Sequence, residues 1–242
     1  MGKRLITQRR GAGNPRFLSP SSRYLANIEY PKINYETLSV GQVIDLVHDA
    51  ARSAPIMKVI LDGNFSETLL IAPEGISVGR MLQFGRGANV AAGSVLPIET
   101  IPEGTEIYCI EIRKGDGGKL VRSSGTFAQV VSHDRILNLT EIRLPSKKTI
   151  HIKNGCLATV GRVAGGGRKD KLMAHAGQMF YAKKARGKLW PVVKGRAKNA
   201  VDHPHGGGRH PHVGRPTTVS RDTPAGRKVG HIAAKRTGKR KK

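Results

Sequence analysis

The chain has 242 residues, with 42 Lys and Arg against 17 Asp and Glu, a formal net charge of +25 at pH 7. That charge is out of keeping with an ordinary cytosolic enzyme surface and suits a polyanion or an anionic membrane surface as partner. No apolar run approaches the roughly 18 residues of a membrane span, and no secretory signal is expected, since no apolar h-region opens the chain. Cys109 and Cys156 stand alone, which offers neither a disulfide scaffold nor a zinc clip and fits two inert thiols in a reducing compartment.

In chain order, residues 1–35 form a basic N-terminal arm: seven cations, Arg10, Arg16 and Arg23 among them, stand against Glu29 alone. Residues 36–180 are nearly balanced, with 17 cations and 14 acids. Between 36 and 162, short runs rich in Val, Ile, Leu and Thr read as strands: Val40–Val47, Met57–Leu61, Thr68–Ala72, Ile107–Ile112, Thr126–Val131, Ile136–Leu139 and Thr149–Ile152. Turn signals such as Asp62-Gly63-Asn64, Pro73-Glu74-Gly75, Pro102-Glu103-Gly104 and Asp116-Gly117-Gly118 separate them. The pattern predicts small β-barrels or a sandwich, with a boundary near Leu96–Pro102.

The loop Arg113–Lys119 carries Gly115, Gly117 and Gly118, whose backbone N–H groups could form an anion nest beside Lys114, Lys119 and Arg122. It lacks the spacing of a nucleotide-binding P-loop. A second glycine-rich stretch, Val163–Lys171, precedes a helix predicted over about 170–185, where Leu172, Ala176, Met179 and Phe180 share one face, and backbone donors at that helix start could also hold phosphate. Residues 187–242 hold nine glycines and few apolar side chains, so they are expected to be disordered alone and to order on a partner. From 181 to the end, 18 cations face two acids, Asp202 and Asp222, and Lys235, Arg236 and Lys239–Lys242 close the chain. With roughly six to ten phosphate contacts, binding would weaken about a thousand-fold or more over a modest rise in salt.

His203, His205, His210 and His212 crowd into Pro191–His212. Zinc is disfavoured there, because each His-Pro-His is stiff and extended and no Cys is near. A general-base pairing of Asp202 with His203 is also weak, since adjacent residues rarely orient each other and no nucleophile is marked. Shape offers more: a glycine-rich backbone can thread between RNA helices, while His, Arg and Asn stack on bases or bond phosphate and 2′-OH groups.

Asn199-Ala-Val-Asp-His-Pro-His-Gly-Gly-Gly208, preceded by Val193-Lys-Gly-Arg196, resembles the signature of the universal large-subunit ribosomal protein L-two family. Ile71-Ala-Pro-Glu-Gly75, the segment from Leu96-Pro97 to Ile101-Pro-Glu-Gly104 and the loop Lys114–Thr126 are similar to further family motifs. Residues 2–23 look like the archaeal and eukaryotic N-terminus, and the short N-terminus with Arg209 directly after the glycine triplet looks archaeal-type. The resemblance implies a mainly β fold: an OB-type barrel (36–98), an SH3-like barrel (99–170), one short helix (171–186) and an extended basic C-terminal arm (187–242). It also implies a primary binder of large-subunit rRNA near the subunit interface. Such a protein would support subunit association, tRNA binding and peptide-bond formation. A direct part in peptidyl transfer once attributed to the family maps to His203 and is disputed.

The chain is therefore expected to be a structural rRNA-binding protein, not an enzyme. Its expected contacts are Arg10, Arg16, Arg23, Lys114, Lys119, Arg122, Lys194, Arg196, Asn199, His203, His205 and Arg209. No cofactor and no metal site is expected, with Mg2+ bridging to rRNA left open. The expected partners are large-subunit rRNA, small-subunit rRNA in the assembled ribosome and neighbouring ribosomal proteins. The expected setting is cytoplasmic, one copy per ribosome, with no membrane. Two rival readings are a catalytic auxiliary with His203 as general base and a general single-strand binder, which would need more stacking aromatics than one Trp, five Tyr and five Phe comfortably supply.

Overall fold

The computed structural model describes residues 2–18, 21–62, 67–168 and 170–238. Gly63 and Asn64 of the first expected turn, Lys169 and the basic run Lys239–Lys242 lie outside the described residues. The chain divides into two units, one spanning Ser21–Leu172 and one joining Met1–Pro20 to Met173–Lys242. The expected N-terminal arm is shared between them.

The first unit is mainly β, as the residue pattern predicts. Its strands are β1 (Ser39–Val47), β2 (Ile56–Leu61), β3 (Glu67–Ile71), β4 (Met81–Phe84), β5 (Val95–Pro97), β6 (Glu106–Tyr108), β7 (Ala128–Asp134), β8 (Leu139–Arg143), β9 (Thr149–Lys153) and β10 (Leu157–Val160). They hydrogen-bond in the order β3-β2-β1-β4-β5-β10-β6-β7-β8-β9. Every pairing is antiparallel except β4 with β5. The late strand β10 is thus inserted between β5 and β6. The register shifts once in β1, between Val43 and Asp45, and once in β7, between Val130 and Ser132. Such bulges add the twist that a sheet needs to curl towards a barrel.

Two apolar cores lie in this unit. One gathers Val43, Ile56, Met57, Val59, Ile71, Leu82 and Phe84 with Ile28 and Tyr30. The other gathers Leu96, Ile98, Ile101, Ile107, Val130, Ile142 and Ile152. Fully burying one such side chain is worth about 1.5–3 kcal/mol. The first core also takes Tyr108, Cys109, Leu157 and Val163, from beyond the expected boundary near Leu96–Pro102. The segment before β1 is anchored by polar contacts as well. Tyr30 Oη donates to the Cys109 carbonyl at 2.5 Å and lies 2.7 Å from Thr159 Oγ1. Arg52 Nη2 donates to the Ala26 carbonyl at 2.8 Å.

Two expected strand runs are corrected. Ile136-Leu-Asn-Leu139 is mostly the turn between β7 and β8: Asp134 Oδ1 accepts the N–H groups of Ile136 and Leu137 at 2.9 Å each, Asn138 has φ 54°, and Ile136 is 95% exposed. The Ile107–Ile112 run leaves strand geometry at Cys109, where φ is 50°.

The second unit is built differently. A short helix α1 (Ile6–Gly11) follows buried Leu5, whose N–H donates to Gln8 Oε1 at 2.8 Å. Helix α2 (Ala176–Lys184) starts later than the residue pattern predicts and buries none of its residues. Leu172 lies outside it and is 92% exposed, so the expected apolar face is not a core face. A minimal parallel pair joins β11 (Thr218–Val219) to β12 (His231–Ile232). Over 187–238 the described residues follow a course of turns. Backbone hydrogen bonds, rather than apolar burial, hold it.

Candidate nucleic-acid interface

The residues from Lys194 to Gly208 fold back on themselves. A 3-10 turn over Gly195–Ala197 is followed by N–H donation from His203 to the Asn199 carbonyl (3.2 Å) and from Gly206 to the His203 carbonyl (2.9 Å). The Gly207 N–H closes the loop on the Lys198 carbonyl at 2.9 Å. Glycine is needed at two points of close approach. A Cβ on Gly206 would stand 2.4 Å from the carbonyl oxygens of Lys198 and Asn199, and one on Gly195 would stand 2.2 Å from the His203 ring. The composition that reads as disorder is therefore what lets this backbone pack against itself.

His203 is the hinge of the loop. Its Nδ1 accepts the His205 N–H at 3.0 Å, and the two rings meet edge to face at 5.0 Å. Burial, then His205 and Lys198, hold its pKa below the ordinary 6.5. The ring is therefore neutral near pH 7, with its proton on Nε2. Asp202 does not orient it: that carboxylate pairs with Lys3 Nζ at 3.2 Å, while the Lys3 N–H donates to the Val201 carbonyl at 2.8 Å. A base–orienter pairing of Asp202 with His203 is not formed.

Around this loop Lys194, Arg196, Asn199 and Arg209 are exposed, and His203 and His205 are half-buried. Neither Lys194, Arg196 nor Arg209 forms an ion pair among the described residues. The same unit holds Arg10 at the end of α1 and Arg16 in a 3-10 turn over Pro15–Phe17, both exposed. Lys3 is a residue the sequence reading passed over, because no local pattern shows that the two ends of the chain are bonded together.

Arg23, Lys114, Lys119 and Arg122 belong to the first unit. Arg23, Lys114 and Lys119 are exposed, whereas Arg122 is half-buried and donates from Nη2 to the Ile28 carbonyl at 3.2 Å. The anion-nest reading of this loop is corrected. Glu111 and Asp116, the chain's own acids, already occupy the N–H groups. Buried Glu111 accepts from Gly115 (3.2 Å), Gly117 (3.0 Å) and Leu157 (2.9 Å), and Asp116 from Gly118 (3.3 Å). An external phosphate would have to displace them, so the loop offers charged side chains and not a backbone cradle. The stretch Val163–Lys171 is corrected too. It does not lead into the helix, whose N-terminus is at Ala176, and it packs on the preceding loop: the Gly125 N–H donates to the Val163 carbonyl at 2.9 Å.

Among the described residues, no three His, Cys, Asp or Glu side chains are grouped to hold a metal ion, and no helix is long and apolar enough to cross a membrane. Residues 91–228, more than half of the chain, match the family model described as Ribosomal Proteins L2, C-terminal domain. The chain is 49% identical over 243 residues to a large ribosomal subunit protein uL2 of Methanococcus maripaludis, covering 99% of this chain and 100% of that one. It is 50% identical over 244 residues to the proteins of that name from Methanosphaera stadtmanae and Methanothermobacter thermautotrophicus, covering all of both chains in each case. The chain belongs to the uL2 family of large-subunit ribosomal proteins. These relatives are archaeal, as the N-terminus and Arg209 suggest. Membership makes the chain a structural constituent of the large subunit, associated with its rRNA and proteins, and the matched region contains the whole self-bonded loop from Lys194 to Gly208.

Proposed function

We propose that this uL2-family chain is a primary rRNA binder near the subunit interface. There it supports subunit association, tRNA binding and peptide-bond formation without itself being the catalyst. The observation that carries the reading is the loop from Lys194 to Gly208, a self-bonded backbone that leaves Lys194, Arg196 and neighbouring Arg209 exposed and without an ion pair among the described residues. Each such cation that meets a phosphate releases a condensed counterion, which supplies affinity, while a preformed backbone lowers the ordering cost of binding. Arg10, Arg16, Arg23, Lys114, Lys119 and Arg122 add charge, and Asn199, His203 and His205 add hydrogen bonds and stacking surface. Mg2+ bridging to rRNA, contact with small-subunit rRNA and neighbouring ribosomal proteins, and one copy in each cytoplasmic ribosome complete the proposal.

The test is charge reversal at Lys194, Arg196 and Arg209, read by incorporation into large subunits. Loss of incorporation, with unchanged melting of the β unit, supports the reading, and normal incorporation contradicts it. His203→Gln separates structure from catalysis: the account expects an assembly defect, whereas intact assembly with lost peptide-bond formation would point to chemistry at His203.

A further inference from the structure

The second unit contains a cavity of about 540 Å3 lined by Leu5, Trp190 and His203. Its volume is that of a small-molecule site. Leu5, Val192 and Val193 give it apolar lining, and Trp190 and His203 supply two rings. Arg10, Lys183, Lys188 and Lys198 stand around it, and none of the four is in an ion pair among the described residues. The one acid in the lining, Asp202, is neutralised by Lys3. Neutral His203 carries a proton on Nε2 and so brings a hydrogen-bond donor to the lining. The lining combines apolar side chains and two rings with four cations that form no ion pair among the described residues, which complements a planar heterocycle carrying phosphates.

The geometry points to this cavity as a capture site for one unpaired RNA nucleotide, its base against Trp190 and its flanking phosphates held by Arg10, Lys188 and their neighbours. The inference rests on the rRNA-binding reading and adds to it a specific receptor. Bases extruded from a helix are the parts of a folded RNA that can enter such a slot, and aromatic stacking tolerates any of the four. A bulged nucleotide would then give the protein a way to choose a position along an otherwise uniform phosphate surface.

Trp190 is the single Trp of the chain and lines both this cavity and a neighbouring one with Arg16 and Phe180, so its fluorescence reports on this part of the unit. The full chain is titrated with RNA hairpins bearing one bulged A, G, C or U, and with the same hairpin bearing an abasic bulge, at fixed salt. At least one base-bearing bulge is expected to quench Trp190 and to bind about tenfold more tightly than the abasic one, within the range that stacking one base supplies. A second readout uses Trp190→Phe with 2-aminopurine in the bulge: its emission falls on binding, because Phe still stacks. Lys188→Gln weakens base-bearing and abasic hairpins alike, since it holds phosphate. Equal affinity and equal quenching for all hairpins, with unquenched 2-aminopurine, would overturn the inference while leaving rRNA binding intact. Failure of every hairpin to bind at low salt would bring down the rRNA-binding reading along with it.

Discussion

His203 Nδ1 accepts the backbone N–H of His205 at 3.0 Å. This contact needs an unprotonated nitrogen, and burial with neighbouring His205 and Lys198 keeps the pKa below 6.5 in the folded chain. The neutral form is thus the one the fold prefers. The stabilisation is complete above the unfolded value and is lost as pH falls through the lower folded one. Acidification from neutral pH to below the ordinary 6.5 is expected to protonate Nδ1, turn it against the His205 N–H and open the loop. Amide exchange at His205 and Gly206 should accelerate over that interval, while His203→Gln should remove the pH dependence.

Gly206 gives a steric prediction. Its Cβ would press on two backbone carbonyls, which cannot move as a side-chain end can. Gly206→Ala is expected to disturb the loop at a cost of about 1–3 kcal/mol and to weaken rRNA binding about tenfold. Gly226 has nothing within 4 Å of its Cβ position, so Gly226→Ala serves as a neutral control. Filter binding of both variants to the same rRNA decides the matter.

Glu111 predicts a stability effect in the other unit. Removal of its carboxylate strands the N–H groups of Gly115, Gly117 and Leu157. Glu111→Ala should cost about 2 kcal/mol or more, since Gly117 and Leu157 are buried and each buried unsatisfied donor costs about 1–3 kcal/mol. Glu111→Gln, which keeps an acceptor oxygen, should cost less. Thermal melting followed by far-UV circular dichroism compares the two.

The cysteines predict chemical inertness. Burial pushes the Cys109 thiol up and the Cys156 thiol up to about 11. At pH 8 only about one Cys156 in a thousand would be thiolate. Ellman's reagent should therefore modify neither thiol of the native chain on a timescale of minutes, and both after denaturation.

Much of the fold is legible in the residues themselves. Val40–Val47, Met57–Leu61, Thr68–Ala72 and Thr149–Ile152 coincide closely with β1, β2, β3 and β9, because β-branched runs between turn residues leave few alternatives. The short strands β4 and β10 escape that reading, since their pairing comes from β1 and β5, which are distant in the chain. Glycine misleads in two ways. At Gly115 and Gly117 it suggests an open nest, but only tertiary structure shows Glu111 filling it. At Gly195 and Gly206 it suggests disorder, although the missing side chain makes room for His203 and for the carbonyls of Lys198 and Asn199. Lys194, Arg196, His203 and His205 are all legible as one motif. The cavity beside Trp190 is not, because Leu5 and Arg10 reach it from the opposite end of the sequence.

The most direct measurement is competition between large-subunit rRNA and bulk tRNA for the full chain across a salt series. The account predicts selective rRNA binding that survives near-physiological salt, with a salt slope that falls by about two to three when Lys194, Arg196 and Arg209 are changed to Gln. Equal binding to both RNAs, lost together as salt rises, would contradict it and would leave charge as all that the isolated chain brings.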